Sequence, residues 1–173
     1  MKPEVLPFLA SVVMGMVAWG AVLLRYVWPR MRDLDLRRAA EPVLYLHLFR
    51  YVGLAFLVPG VVDPGLATQW SHPAAYGDLM AALLAGLALL LRSGKHFRLA
   101  LWAFSLWGTI DLLEAAAMGP VHDIVGHLHA TYFIPVIGVP LLLWTHALVY
   151  VLLIRRDDPR RASQRLAADV HPG

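Results

Sequence analysis

A chain of 173 residues that is 59% hydrophobic and only 16% charged departs from soluble domains, which are about half apolar and about a quarter charged. Its mean hydropathy is +0.60 and its pI near 9.5, but the bases flank apolar blocks, so membrane insertion and anionic lipid explain them better than nucleic acid does. The absence of cysteine removes disulfides, thiolate metal sites, Cys nucleophiles and c-type haem attachment.

A spanning helix needs roughly 20 mostly apolar residues to cross ~30 Å of hydrocarbon. The first block that qualifies is Val5–Trp28. It is longer than a signal-peptide core, lacks an A-x-A-like cleavage site, and ends on the interfacial anchors Arg25, Tyr26 and Trp28, so it reads as a retained helix. A basic segment with Arg30, Arg32, Arg37 and Arg38 follows. The second block, Val43–Val62, carries His47 and Arg50 toward the end nearest those arginines. The connection after it holds Asp63, Trp70 and His72 but no Lys or Arg. The third block, Ala74–Leu91, has Asp78 one turn inside and the small residues Ala81, Ala82, Ala85 and Gly86, whose spacing permits close helix contact.

Arg92, Lys95 and Arg98 make the next turn basic. The fourth block, Phe97–Met118, places Trp107, Asp111 and Glu114 on one helical face by their i, i+4, i+7 spacing. A loop without Lys or Arg then carries His122, Asp123, His127 and His129. The fifth block, Thr131–Ile154, contains Pro135 and Pro140, where a kink is expected, and His146. A polar, basic tail, 155–173, ends the chain.

The predicted fold is all-α: a compact bundle of five transmembrane helices with no separate soluble domain. Fourteen of the fifteen Lys and Arg fall on one side of it, Lys2 alone on the other. The positive-inside rule then sets the N-terminus outside and the tail in the cytoplasm.

Ionisable groups within spans are costly and need an account. They form two layers. The outer one is acidic, with Asp78, Asp111, Glu114 and the loop histidines lacking basic partners apart from distant Lys2. Together with Trp107, it suggests an outward-facing cavity for a small cationic or polar organic molecule. His122, His127 and His129 offer an alternative, a metal-dependent enzyme on the outer face with a divalent metal on imidazole and carboxylate ligands, although the spacing matches no standard site. The inner layer is His47, Arg50 and His146. It offers a second alternative, a redox subunit of a membrane complex with b-type haem on the two histidines and Arg50 on a propionate, against the simpler reading of an arginine that snorkels inward or bonds backbone carbonyls and of helix-bridging histidines. No Walker loop, dinucleotide fingerprint or Gly-x-Ser-x-Gly is present.

Three stretches carry a resemblance: Pro73-Ala74-Ala75-Tyr76-Gly77-Asp78-Leu79, Gly108-Thr109-Ile110-Asp111-Leu112, and Ile134-Pro135 with Val139-Pro140-Leu141 and His146. Their Pro-x(3)-Gly-Asp, Gly-x-x-Asp and Pro-rich, His-bearing last span resemble a group of small, uncharacterised bacterial multi-pass membrane proteins. The resemblance implies a bacterial inner-membrane setting and no activity. The Trp-x-Pro-Pro signature of tryptophan-rich porphyrin-binding sensory proteins and the His-x(3)-Glu pairing of sterol-isomerase-like proteins are both missing. The expectation is therefore a non-enzymatic binding or transport-associated protein in the lipid bilayer. No cofactor is assigned, and a homo-oligomer or an accessory-subunit role stays open.

Overall fold

In hydrocarbon every backbone N–H and C=O must be satisfied within its own segment, so long apolar blocks fold as long helices. The computed structural model describes residues 2–155, which are helical with short connections and contain no strand. Of the basic tail, only Arg155 lies within the described residues. Four helical runs are long and apolar enough to cross a membrane: Val5–Met31, Thr68–Leu90, Phe97–Met118 and His129–Arg155. We name α1 (Val5–Met31), α3 (Thr68–Leu90), α4 (Phe97–Met118) and α5 (Val139–Arg155, the regular part of the last run) accordingly.

The second apolar block differs from expectation. Its helix, α2 (Leu36–Leu48), begins at Leu36 rather than Val43, because Asp35 caps it by accepting the backbone N–H groups of Arg37 and Arg38 at 3.0 and 3.1 Å. At Phe49 the winding tightens to a 3-10 helix that runs to Leu57. Side chains three apart eclipse in that geometry. Arg50, Gly53 and Phe56 therefore line one buried stripe, continued by His47 at the end of α2.

Prolines explain the other irregularities. A ring without an N–H cannot close the normal helical bond, and a wider π turn absorbs the defect. One such turn, Leu23–Val27, precedes Pro29 in α1. Another, Ile134–Gly138, contains Pro135 and leads into Pro140, where a kink was expected.

α3 packs against α2, its 3-10 extension and α4, while α2 and α4 also meet α5. α1 lies outside this group against α5. Indole and phenol hydrogen bonds fasten it there: Trp144 Nε1 donates to Met16 O, Trp19 Nε1 to Ile137 O, and Tyr132 Oη to Ser11 Oγ. Two apolar clusters form the core. One, around Leu44, Leu101, Phe104, Val149 and Leu152, fills the arginine-rich end. The other, around Phe56, Leu66, Trp70, Ile124 and Leu128, fills the opposite end. The polar residues of the bundle occupy the layer between them.

Candidate functional site

Arg50 is the centre of that layer. Its side chain is 1% exposed, so an unpaired charge there would be prohibitive. Nε donates to Asp78 Oδ1 at 2.7 Å, Nη2 donates to Asp111 Oδ2, and Nη1 donates to the Gly108 carbonyl at 3.3 Å. The planar fork of a guanidinium suits this arrangement, since it can meet two carboxylates on different helices at once. The ion triad ties the 3-10 segment to α3 and α4.

This corrects one expectation and decides another. Asp78 and Asp111 do not lack a basic partner, and Arg50 bonds a backbone carbonyl, that of Gly108, rather than snorkelling toward the arginine-rich end. With α2 beginning at Leu36, Arg50 sits fourteen residues along the segment (50 − 36) and reaches the depth of the acids. Asp78 and Asp111 of the outer layer thus share one layer with His47, Arg50 and His146.

Glycines make the convergence physical. A Cβ at Gly53 would fall 2.7 Å from Asp78 Cγ, and one at Gly77 2.6 Å from Asp111 Cγ. At Gly108 it would meet His146 Cε1 at 2.6 Å and Arg50 Nη1 at 2.7 Å. Asp78, Asp111, Arg50 and His146 thus each lie on the bare backbone of a neighbouring segment. Gly77-Asp78, Gly108 with Asp111, and His146 are the residues that carry the family resemblance, and they meet here.

The histidines extend the network away from the acids. Thr145 Oγ1 lies 2.8 Å from His47 Nε2 and reaches the carbonyls of Leu141 and Leu142 at 3.0 and 2.9 Å, so it links His47 to the backbone of α5. His146 Nε2 faces Arg50 Nη1 at 3.5 Å and accepts, which leaves its proton on Nδ1. The two rings touch, with centroids 4.4 Å apart, and Phe104 packs edge-on against His47. Among the described residues, Nδ1 of each ring and Ser105 Oγ are buried with no hydrogen-bond partner.

These contacts do not fit haem. Both Nε2 atoms are engaged, by Thr145 and by Arg50, and two imidazoles in mutual contact leave no space for a macrocycle between them. Arg50, the proposed propionate partner, is committed to Asp78 and Asp111.

The loop histidines are arranged differently from a metal centre. His127 Nδ1 lies 2.9 Å from Asp63 Oδ1 and His129 Nε2 lies 3.7 Å from Asp63 Oδ2. His122 sits apart in the preceding turn, and among the described residues no three His, Asp or Glu side chains converge as metal ligands. The His127 ring and the Gly65 N–H hold the Asp63 carboxyl below its ordinary range. Lys2 pairs with Asp123 in the same region.

Three spaces adjoin the triad; the smallest, about 320 Å³, touches Arg50, Gly53 and Asp78 between the 3-10 segment and residues 133–142. A cavity of about 430 Å³ runs between α1, α3, α4 and the 119–125 loop, with Phe8, Phe56 and Trp70 among its apolar walls and Asp78 and Asp111 at its polar floor. A groove of about 460 Å³ lies between α3 and α4 and contains Asp111, Glu114, Tyr76 and Trp107. Trp107 therefore belongs to the groove, where its Nε1 donates to the Gly77 carbonyl at 3.2 Å. Glu114 is exposed there. Toward the arginine-rich end the polar layer is sealed by the packed side chains of Leu44, Phe104 and Val149.

Gly53, Thr145 and Phe104 went unnoticed in the sequence. The i+3 run His47, Arg50, Gly53 and Phe56 is the signal that would have exposed the first of them. No curated protein and no solved structure matches the chain. Residues 7–154 match the model of a domain of unknown function (DUF8737), and the chain with its three-helix ion triad belongs to that family.

Proposed function

We propose that this is a multi-pass membrane protein that binds a small organic cation in the cavity above Asp78 and Asp111, as a binding or transport-associated protein rather than an enzyme. The observation that carries this reading is the charge balance of the cavity floor. Two carboxylates face one guanidinium, so in their ionised forms they exceed it by one negative charge at the end of a largely apolar chamber. A ligand with one positive group and an apolar body complements both features. A chamber of about 430 Å³ falls in the usual range for small-molecule sites, about 300–1,000 Å³. Its aromatic walls suit a cation as well as hydrocarbon.

The topology proposed with it has five crossings. The segment Leu36–Leu57 joins 13 α-helical residues to 9 in a 3-10 helix. At ~1.5 and ~2.0 Å per residue these span roughly 38 Å, enough for ~30 Å of hydrocarbon. The arginine-rich end faces the cytoplasm of a bacterial inner membrane in this reading, and the cavity opens outward. The apolar seal favours a site with one open side over a continuous pore.

The test is thermal unfolding of the purified protein with primary, tertiary and quaternary amines, each paired with a neutral alcohol of the same shape. Amines should stabilise and alcohols should not; a ligand at about 100 times its Kd adds about 2.7 kcal/mol. Asp111→Asn should abolish the response. Ala116→Phe, which fills the cavity from an exposed lining position, should do the same with the triad intact. Equal shifts from amines and alcohols, or a response untouched by both variants, would refute the reading.

A further inference from the structure

The groove between α3 and α4 differs from the cavity in one respect: all of its lining residues lie on those two helices. It therefore opens sideways, toward acyl chains, rather than through the connections at the end of the bundle. Pro73, Tyr76 and Met80 of α3 line one wall and Ile110, Glu114 and Met118 of α4 the other, and Tyr76, Met80, Ile110 and Met118 are exposed. Asp111 and Glu114 lie in this lateral opening; Asp111 is paired with Arg50 behind it, whereas among the described residues no Lys or Arg lines the groove beside the exposed Glu114. A lipid-facing carboxylate without a cation beside it is costly. The two helices are clamped on either side of the acids by indoles: Trp107 Nε1 donates to Gly77 O on one side, and Trp70 Nε1 donates to Ala115 O at 2.8 Å on the other. The opening is thus held by hydrogen bonds between the helices.

Cavity and groove share Trp70, Ala74, Asp111 and Ala115. Between them the wall is two alanines, an indole edge and the Asp111 carboxylate. Asp111 can be approached from either space.

We infer that the groove is the seat of an amphiphilic amine dissolved in the membrane, its alkyl chain lying between α3 and α4 and its ammonium between Asp111 and Glu114. The inference rests on the cation-binding reading above and narrows it to ligands that reach the site through the bilayer. Charge complementarity selects the headgroup. The lateral opening and the apolar ridges select a chain-bearing ligand over a compact, water-borne one.

The full chain in lipid nanodiscs is titrated with n-decylamine, with cyclohexylamine as a compact cation and 1-decanol as a neutral chain, and Trp fluorescence and thermal stabilisation are read. Decylamine should bind more tightly than cyclohexylamine, and decanol should not bind. Glu114→Gln should weaken decylamine about fivefold, the upper end for one half-solvated ion pair, and leave cyclohexylamine within about twofold. Ile110→Trp, at a lipid-exposed groove position, should weaken decylamine about tenfold by occupying the chain's path, a loss of the order expected when two methylene contacts are denied. If both variants leave decylamine unchanged while Asp111→Asn abolishes all amine binding, the groove is overturned and the cavity reading stands. If Asp111→Asn changes nothing, or decanol matches decylamine, both fall.

Discussion

Replacing Gly77 with alanine separates helix propensity from the geometry of the ion triad. In an unconstrained helix interior, Gly→Ala stabilises by about 1 kcal/mol. At Gly77 the new Cβ would lie within covalent range of one Asp111 oxygen and 2.6 Å from its Cγ. Asp111 must swing away, and its bond to Arg50 Nη2 breaks. Disrupting a buried ion pair costs about 3 kcal/mol or more, so the net expectation is a loss of about 2 kcal/mol despite the better helix former. Gly86, on the same helix, is the internal control: its Cβ would meet only Leu48 Cδ2 at 3.6 Å, an ordinary contact. Gly86→Ala should stabilise by up to about 1 kcal/mol. Reversible unfolding in mixed micelles measures both. A double-mutant cycle with Asp111→Ala adds a second criterion, because without the carboxylate Gly77→Ala should lose its penalty. If Gly77→Ala stabilises as Gly86→Ala does, or the cycle shows no coupling, Asp111 does not rest on Gly77 and the triad geometry is wrong.

Arg50→Lys keeps a charge but loses the fork that spans two carboxylates, and should cost about 2 kcal/mol, against about 3–5 kcal/mol for Arg50→Met, which strands both acids. The triple replacement Arg50→Met, Asp78→Leu, Asp111→Leu should recover most of that loss on unfolding while abolishing amine binding, and a triple variant as unstable as Arg50→Met would assign the triad a structural role instead. Asp63 responds to acid. Its folded carboxyl is held below its unfolded value, so its contribution to fastening the 119–130 loop is complete above pH about 4 and is lost as pH falls through the lower folded value. Amide exchange of that loop should accelerate on acidification, and Asp63→Asn should show fast exchange at neutral pH with no acid step; an unchanged acid step in that variant contradicts the assignment.

Much of this was legible in the residues themselves. Block lengths of about 20 apolar residues set the helices, because backbone satisfaction in hydrocarbon is a local requirement. Asp78, Asp111 and Glu114 stood out because a charge in a span is always costly. The glycines beside them could be seen but not understood. Gly77 precedes Asp78 in sequence yet serves Asp111 on the next helix, and Gly53 serves Asp78. Such a relation exists only across a helix contact. Likewise, the loop histidines read as a group because they are close in sequence, whereas His127 and His129 associate with Asp63 from another connection.

The clustering of Lys and Arg toward one end was the strongest signal in the linear chain, and Asp33, Asp35 and Glu41 lie among those arginines. Arg50 is the exception that matters. From sequence it counts with the basic side, because hydropathy places a span without knowing where its helix is capped or how tightly it is wound. Asp35 caps the second helix early, with Leu36 as its first residue, so Arg50 lies well along the segment and its guanidinium arrives beside two carboxylates instead of at an interface. Composition and periodicity determined that this is a helical membrane-type chain with an unusual acidic layer. Only the packing of three helices on bare glycine backbone decided that the layer contains its own cation, because the energy of a buried charge depends on its neighbours in space.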